Sequence, residues 1–203
     1  MANIAECGVA IAKSDINKLG GAIKQTKSKD GYQAVYAYEA KYEDGTVAHI
    51  VVSKIGIEDG KDSSWEHTYT VDGCTMPAEE YQKKYADRLF MDATTWRVIE
   101  EKEWSNGWEV NWKELGTSPY QSDTNVHEYD DHITIYFGGR WSFPETLENF
   151  LNGREVAWQG AEAEDGCSLF CDTIGSDDFG LRVVECGDEE DWHCVEDMTK
   201  GGK

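Results

Sequence analysis

No stretch of this 203-residue sequence approaches the roughly 18–20 consecutive apolar residues that span a bilayer. The N-terminal residues are not expected to form a secretory signal either. The apolar run Val9-Ala10-Ile11-Ala12 is short, Glu6 interrupts the approach to it, and no basic segment precedes it. The expected compartment is cytoplasmic, where the six cysteines are expected as free thiols or ligands rather than disulfides. Positive charge is scarce as well. Forty acidic residues against nineteen basic ones leave a formal charge of −21, far beyond the values typical of small domains. With no basic stripe to displace counterions, the expectation is no direct nucleic-acid binding and no membrane association.

Familiar catalytic spacings are absent. There is no Gly-x-Gly-x-x-Gly, no phosphate loop, no Gly-x-Ser-x-Gly and no His-Glu-x-x-His. Carboxylates are so frequent that no catalytic pair stands out, and each reads most simply as a solvated face. No enzymatic activity, cofactor or metal is therefore assigned. His127 and His132 flank Glu128, Asp130 and Asp131, a set able in principle to hold a cation but more simply explained as a polar loop. Cys167, Cys171, Cys186, His193 and Cys194 supply the soft donors a zinc tetrahedron needs. They define an alternative reading, a zinc-binding module or metal-dependent enzyme. Against it, Cys167 and Cys171 on one strand would stand ~13 Å apart at ~3.3 Å rise per residue. Two ligands of one zinc lie much closer, with Zn–S near ~2.3 Å. Buried free cysteine, acting as a small hydrophobe, is the simpler reading.

What the sequence does contain is strand periodicity. Ile4 to Ile11 reads as a strand, followed by a short helix capped by Ser14 with Ile16, Leu19 and Ile23 inward, weakened by Gly20-Gly21. Residues 32–38 and 46–52 form a hairpin about Glu43-Asp44-Gly45, and a third strand, 65–71, stops at Asp72-Gly73. Ala78 to Met91 reads as a helix with Glu79 and Glu80 in its first turn and Tyr81 and Tyr85 on one stripe. Residues 96–104 are ambiguous between helix and strand. Trp108, Val110 and Trp112 alternate with polar residues, as do Val156 and Trp158. Between them lies a strand, 133–137, and a helix start in which Ser142 and Glu145 form a capping box around Pro144. Leu147, Phe150 and Leu151 then share one helical face. Trp108, Trp112, Trp141 and Trp158 are all expected inward. The fold class is α+β, antiparallel sheets with two or three helices packed on one face. No fixed-period repeat and no low-complexity linker is present. The best boundary separates residues 1–92 from residues 93–203, although one continuous domain is also consistent.

The order Trp104-Ser105-Asn106-Gly107-Trp108, strand, Trp141-Ser142-Phe143-Pro144 helix start, helix, strand, then Glu162-Ala163-Glu164-Asp165-Gly166 resembles the YubB ferredoxin-like family. The resemblance covers mainly residues 100–170. It implies a ferredoxin-like C-terminal half and carriage on a phage or plasmid in a bacterial host. Ser105-Asn106-Gly107 replaces the Gly-Thr-Lys of that family, and Phe143 replaces the first of two prolines. The family implies no particular biochemical activity.

The charge itself remains the most informative feature. Residues 161–203 hold thirteen acidic residues against Arg182, Lys200 and Lys203. Carboxylates alternating along a strand repeat every ~6.6–6.8 Å, close to two phosphates of a DNA strand at ~3.4 Å each. The expectation is an anti-defence protein of anti-CRISPR type, binding a host nucleic-acid-binding complex through a DNA-mimicking surface. Its contact residues are expected to be Glu162, Glu164, Asp165, Asp177, Asp178, Asp188, Glu189, Glu190 and Asp191. A phage structural or assembly protein with a merely solubilising acidic face is a further alternative.

Overall fold

Period-two alternation dominates the chain, and antiparallel sheet follows from it. The computed structural model describes residues 4–26, 33–45, 47–57, 64–91, 93–118, 124–163 and 170–174. In chain order the elements are β1 (Ile4–Ala12), a 3-10 helix (Lys13–Leu19), β2 (Ile23–Gln25), β3 (Gln33–Tyr42), β4 (Val47–Ile57), β5 (Ser64–Val71), β6 (Cys74–Pro77) and α1 (Ala78–Met91). They continue as β7 (Ala93–Ser105), β8 (Trp108–Asn111), β9 (Asn125–Glu128), β10 (His132–Arg140), α2 (Glu145–Asn152), β11 (Trp158–Ala163) and β12 (Phe170–Ile174). The class is α+β and rich in antiparallel sheet. Among the described residues, no helix is long and apolar enough to cross a membrane. Backbone contacts divide the chain into two compact units, residues 1–25 with 114–203, and residues 26–113.

The first unit carries a five-stranded sheet in the order β12-β11-β1-β10-β9. β1 lies between β10 and β11 and is antiparallel to both, so β10 and β11 run parallel to each other with α2 in the connection between them. Val9 sits opposite Ile135 and Gly160, and Ile11 opposite Ile133 and Trp158. Burial on both faces explains why β1 reads as a nearly continuous apolar run rather than an alternating one. α2 is tied to this sheet through Trp158, whose indole donates to Asn152 Oδ1 at 2.8 Å and stacks on Phe143. Leu147 and Leu151 are fully buried, each contributing roughly 1.5–3 kcal/mol of burial. Asp15, in the 3-10 helix, accepts the Ala157 N–H at 2.8 Å and fixes the approach to β11.

The second unit's strands run β8-β7-β3-β4-β5-β6. Two of its hairpins turn on two residues, Asp72-Gly73 and Asn106-Gly107, with positive φ at all four positions. That is the type I′ geometry, which Asp-Gly and Asn-Gly favour because it matches strand twist. α1 covers a cluster of Ala40, Tyr42, Ala48, Ile50, Val71, Met76 and Tyr81, with Tyr81 stacked on Tyr69 at 4.1 Å.

Several expectations are corrected. Ser142 caps nothing: its hydroxyl points to the Phe143 carbonyl at 3.5 Å, and the N-cap is Pro144, without a side-chain cap. The Phe143 N–H is held by the Glu162 carboxylate and the Phe143 ring by Trp158. Those contacts keep Phe143 outside the helix, which begins at Glu145. Ser14 likewise caps no helix; the segment is a 3-10 turn with Ala12 at its N-cap. Trp108, Trp112 and Trp158 are buried, but Trp141 is 52% exposed. Its φ of 74° turns the chain out of β10 and directs the residue away from the core. The ambiguous stretch 96–104 is strand, within β7.

Candidate functional site

Of the nine carboxylates expected to form a contact surface, the structure places Glu162. Glu164, Asp165, Asp177, Asp178, Asp188, Glu189, Glu190 and Asp191 lie outside the described residues, as do Cys167, Cys186, His193 and Cys194. Glu162 stands on β11 opposite Cys7 of β1. It is half-buried, and its carboxylate accepts the Phe143 N–H at the approach to α2. The side chain thus braces a turn. Cys7 is buried beside it, and burial, then the Glu162 charge, pushes the thiol up to about 12. A thiol so held stays protonated and is a poor nucleophile at neutral pH.

The histidine loop resolves into pairs rather than a cluster. His132 Nδ1 lies 2.6 Å from Asp131 Oδ1, and its ring stacks on Tyr129. The hydrogen bond to His132 holds the Asp131 carboxyl below its usual range. His127 packs edge-on against Tyr136, and Glu128 pairs with Lys13 at 2.7 Å. Among the described residues, no three His, Cys, Asp or Glu side chains converge to hold a metal.

The most organised group of carboxylates lies in the second unit, and sequence reasoning missed it. Glu101, Glu103 and Ser105 alternate on one face of β7, and all are buried, Glu103 completely. Glu103 accepts from the Tyr36 hydroxyl at one oxygen and from the Trp112 indole at the other, 3.1 Å away. Glu109, directly opposite Trp104 across the β7–β8 hairpin, accepts that indole N–H at 3.0 Å. Burial, then the Glu101 charge, pushes the Tyr38 hydroxyl up to about 12. Carboxylates at 101, 103 and 109 are therefore not a solvated face. Glu103 and Glu109 are acceptors for donors that aromatic side chains bring to them, because a buried indole or phenol needs a partner. The signal available in the sequence was the crowding of Glu100, Glu101, Glu103 and Glu109 with Trp104, Trp108 and Trp112 within thirteen residues, 100–112. Chemically, Glu103 fixes two aromatic rings and, with no solvent exposure, offers no oxygen to a solute. No family model, curated protein or solved structure matches this chain.

Proposed function

We propose that this protein is an anti-defence inhibitor of anti-CRISPR type, carried by a phage or other mobile element. It acts by occupying a basic nucleic-acid cleft on a host complex. The observation that carries this reading is the charge of −21 with its concentration at residues 161–203. A surface of that sign is steered towards basic partners and repelled by nucleic acid. The inhibition is competitive and electrostatic; no bond is made or broken. We also assign β11-β1-β10-β9 to a ferredoxin-like sheet of the YubB kind. Support comes from α2 joining two parallel strands that flank β1, the split arrangement of that fold. On this assignment the second unit is an insertion between β1 and β9, in place of the first helix.

The test is a competition assay on the purified host complex recovered with the full chain. The chain should displace nucleic acid, less effectively at high salt than at low salt. Lysine at Asp188, Glu189, Glu190 and Asp191 together should abolish displacement. Recovery of no nucleic-acid-binding protein, or displacement indifferent to salt, would remove the reading.

A further inference from the structure

Among the described residues, the outer edge of β7 is closed along one half and open along the other. β3 pairs with β7 from Ala93 to Trp104, whereas β8 pairs on the opposite side only from Lys102 to Ser105. Past the end of β8, the Trp112 N–H bonds the Glu101 carbonyl at 2.8 Å. The Lys113 ammonium bonds the Ile99 carbonyl, also at 2.8 Å. Those contacts close the edge as far as Ile99. From Thr94 to Val98 no described strand pairs on that side, and all five residues are exposed.

Proteins usually blunt such an edge with proline, with inward-pointing charge or by covering it. This one reads Thr-Thr-Trp-Arg-Val, made largely of strand formers. Its single charge, Arg97, is engaged by Glu39 at 3.0 Å. Trp96 and Val98, 40% and 37% exposed, share a sheet face, opposite Ala40 and Tyr38 respectively. Tyr38 meets the Trp96 ring edge-on at 6.3 Å and orients it. No acidic residue falls between 94 and 98, in a chain that carries forty. A basic partner finds nothing to pair with there, while a second copy meets no like charge along the strand.

We propose that this edge joins two copies of the chain. Residues 94–98 pair antiparallel about a two-fold axis, with Trp96 opposite Trp96 of the partner subunit. In that register Thr94 lies opposite Val98 of the partner subunit, and Thr95 opposite Arg97 of the partner subunit. The match is self-complementary, as an isologous contact requires. Apolar side chains adjoin on one face, and on the other each guanidinium faces a neutral hydroxyl. The sheet becomes continuous across the axis, and the cross-strand aromatic pair fixes its register. Because each copy carries −21, long-range repulsion opposes association and salt strengthens it. That sign is opposite to the salt response of a charge-steered contact, so the dimer stands or falls separately from the proposed inhibition.

Sedimentation velocity on the full chain, over a series of concentrations at low and high salt, tests this. The wild type should pass from monomer to dimer, at lower concentration when salt is raised. Trp96→Lys and Val98→Lys place charge on an exposed position and should each weaken the dimer about tenfold or more. Their circular dichroism should match the wild type. Amide exchange at residues 94–98 should slow as wild-type concentration rises, a readout that needs no variant. A chain monomeric at every concentration and salt, or a dimer that neither substitution weakens, would overturn the proposal.

Discussion

The indole of Trp112 donates to Glu103 at 3.1 Å, and the Tyr36 hydroxyl takes the other carboxylate oxygen. A fully buried carboxylate is thus satisfied by two aromatic side chains from separate segments of the second unit. Replacing Glu103 by Ala removes the acceptor of the buried Trp112 indole and of the half-buried Tyr36 hydroxyl, at about 1–3 kcal/mol each, and opens a void besides. Glu103→Gln keeps the volume and one acceptor but turns an N–H₂ towards a donor, so a smaller loss is expected. Urea unfolding of the two variants should rank them Ala below Gln below wild type. A Glu103→Ala protein as stable as wild type would show that the pair contributes nothing.

Gly160 and Gly139 test how closely the first unit is packed. A Cβ on Gly160 would sit 2.6 Å from the Trp158 ring and 3.0 Å from Phe143. One on Gly139 would meet the Ser142 carbonyl oxygen and the Cys7 sulfur, each at 2.6 Å. Alanine at either position should cost about 1–3 kcal/mol through displaced rings or backbone. Thermal denaturation should show both variants melting below the wild type.

The tryptophans of the central region should behave unequally. Trp158→Ala removes a fully buried ring that stacks on Phe143 and donates to Asn152, a loss of about 3–5 kcal/mol. Trp141 is half out of the protein and holds a φ of 74°. Trp141→Gly relieves a left-handed conformation worth roughly 1–2 kcal/mol and should leave stability unchanged or raised. Equal losses at the two positions, measured by denaturant unfolding, would contradict the exposed placement of Trp141.

Stability should fall at both ends of the pH scale for separate reasons. Asp15 is held below its ordinary 3.8, first by its hydrogen bond with Lys18 and then by the Ala157 N–H. The unfolded chain therefore binds the proton more readily. The stability this group contributes is present above 3.8 and is lost as pH falls through that value and below. In alkali the order reverses. Cys7, Tyr38 and Tyr81 are raised to about 12 by burial first. Between their unfolded values of 9.0 and 10.0 and that level, the unfolded chain is the less protonated state. Stability declines across that interval. Tyrosinate absorbance followed through alkaline unfolding should rise in step with the loss of circular dichroism. Peptide mapping after brief alkylation at mild pH should find exposed Cys74 modified and Cys7 untouched.

Much of the second unit was legible. The Glu43-Asp44-Gly45 turn, the stop at Asp72-Gly73 and the span of α1 all follow from local chemistry, because turns and helix ends are decided within a few residues. The capping box at Ser142 was not, since the neighbouring Phe143 N–H goes to Glu162, nineteen residues beyond Phe143. The buried glutamates were hidden for a related reason. Alternation locates the two faces of a strand, but only the arrival of Trp112 and Tyr36 determines that the Glu103 face is interior. Most of the expected contact surface, from Glu164 onward, lies outside the described residues. For Glu162 the structure gives a bracing role that no pattern of charge could have foretold.

The placement of β1 has a consequence for how the molecule is made. About 150 residues separate Val9 from Gly160, its neighbour across the sheet, a delay on the order of 10 s at ordinary ribosomal speed. Through most of that interval, until β10 is made, β1 has neither flanking strand, while residues 26–113 can close on themselves in one continuous segment. Birth order therefore sets assembly order: the inner segment matures early, and the apolar strand β1 waits for the chain behind it.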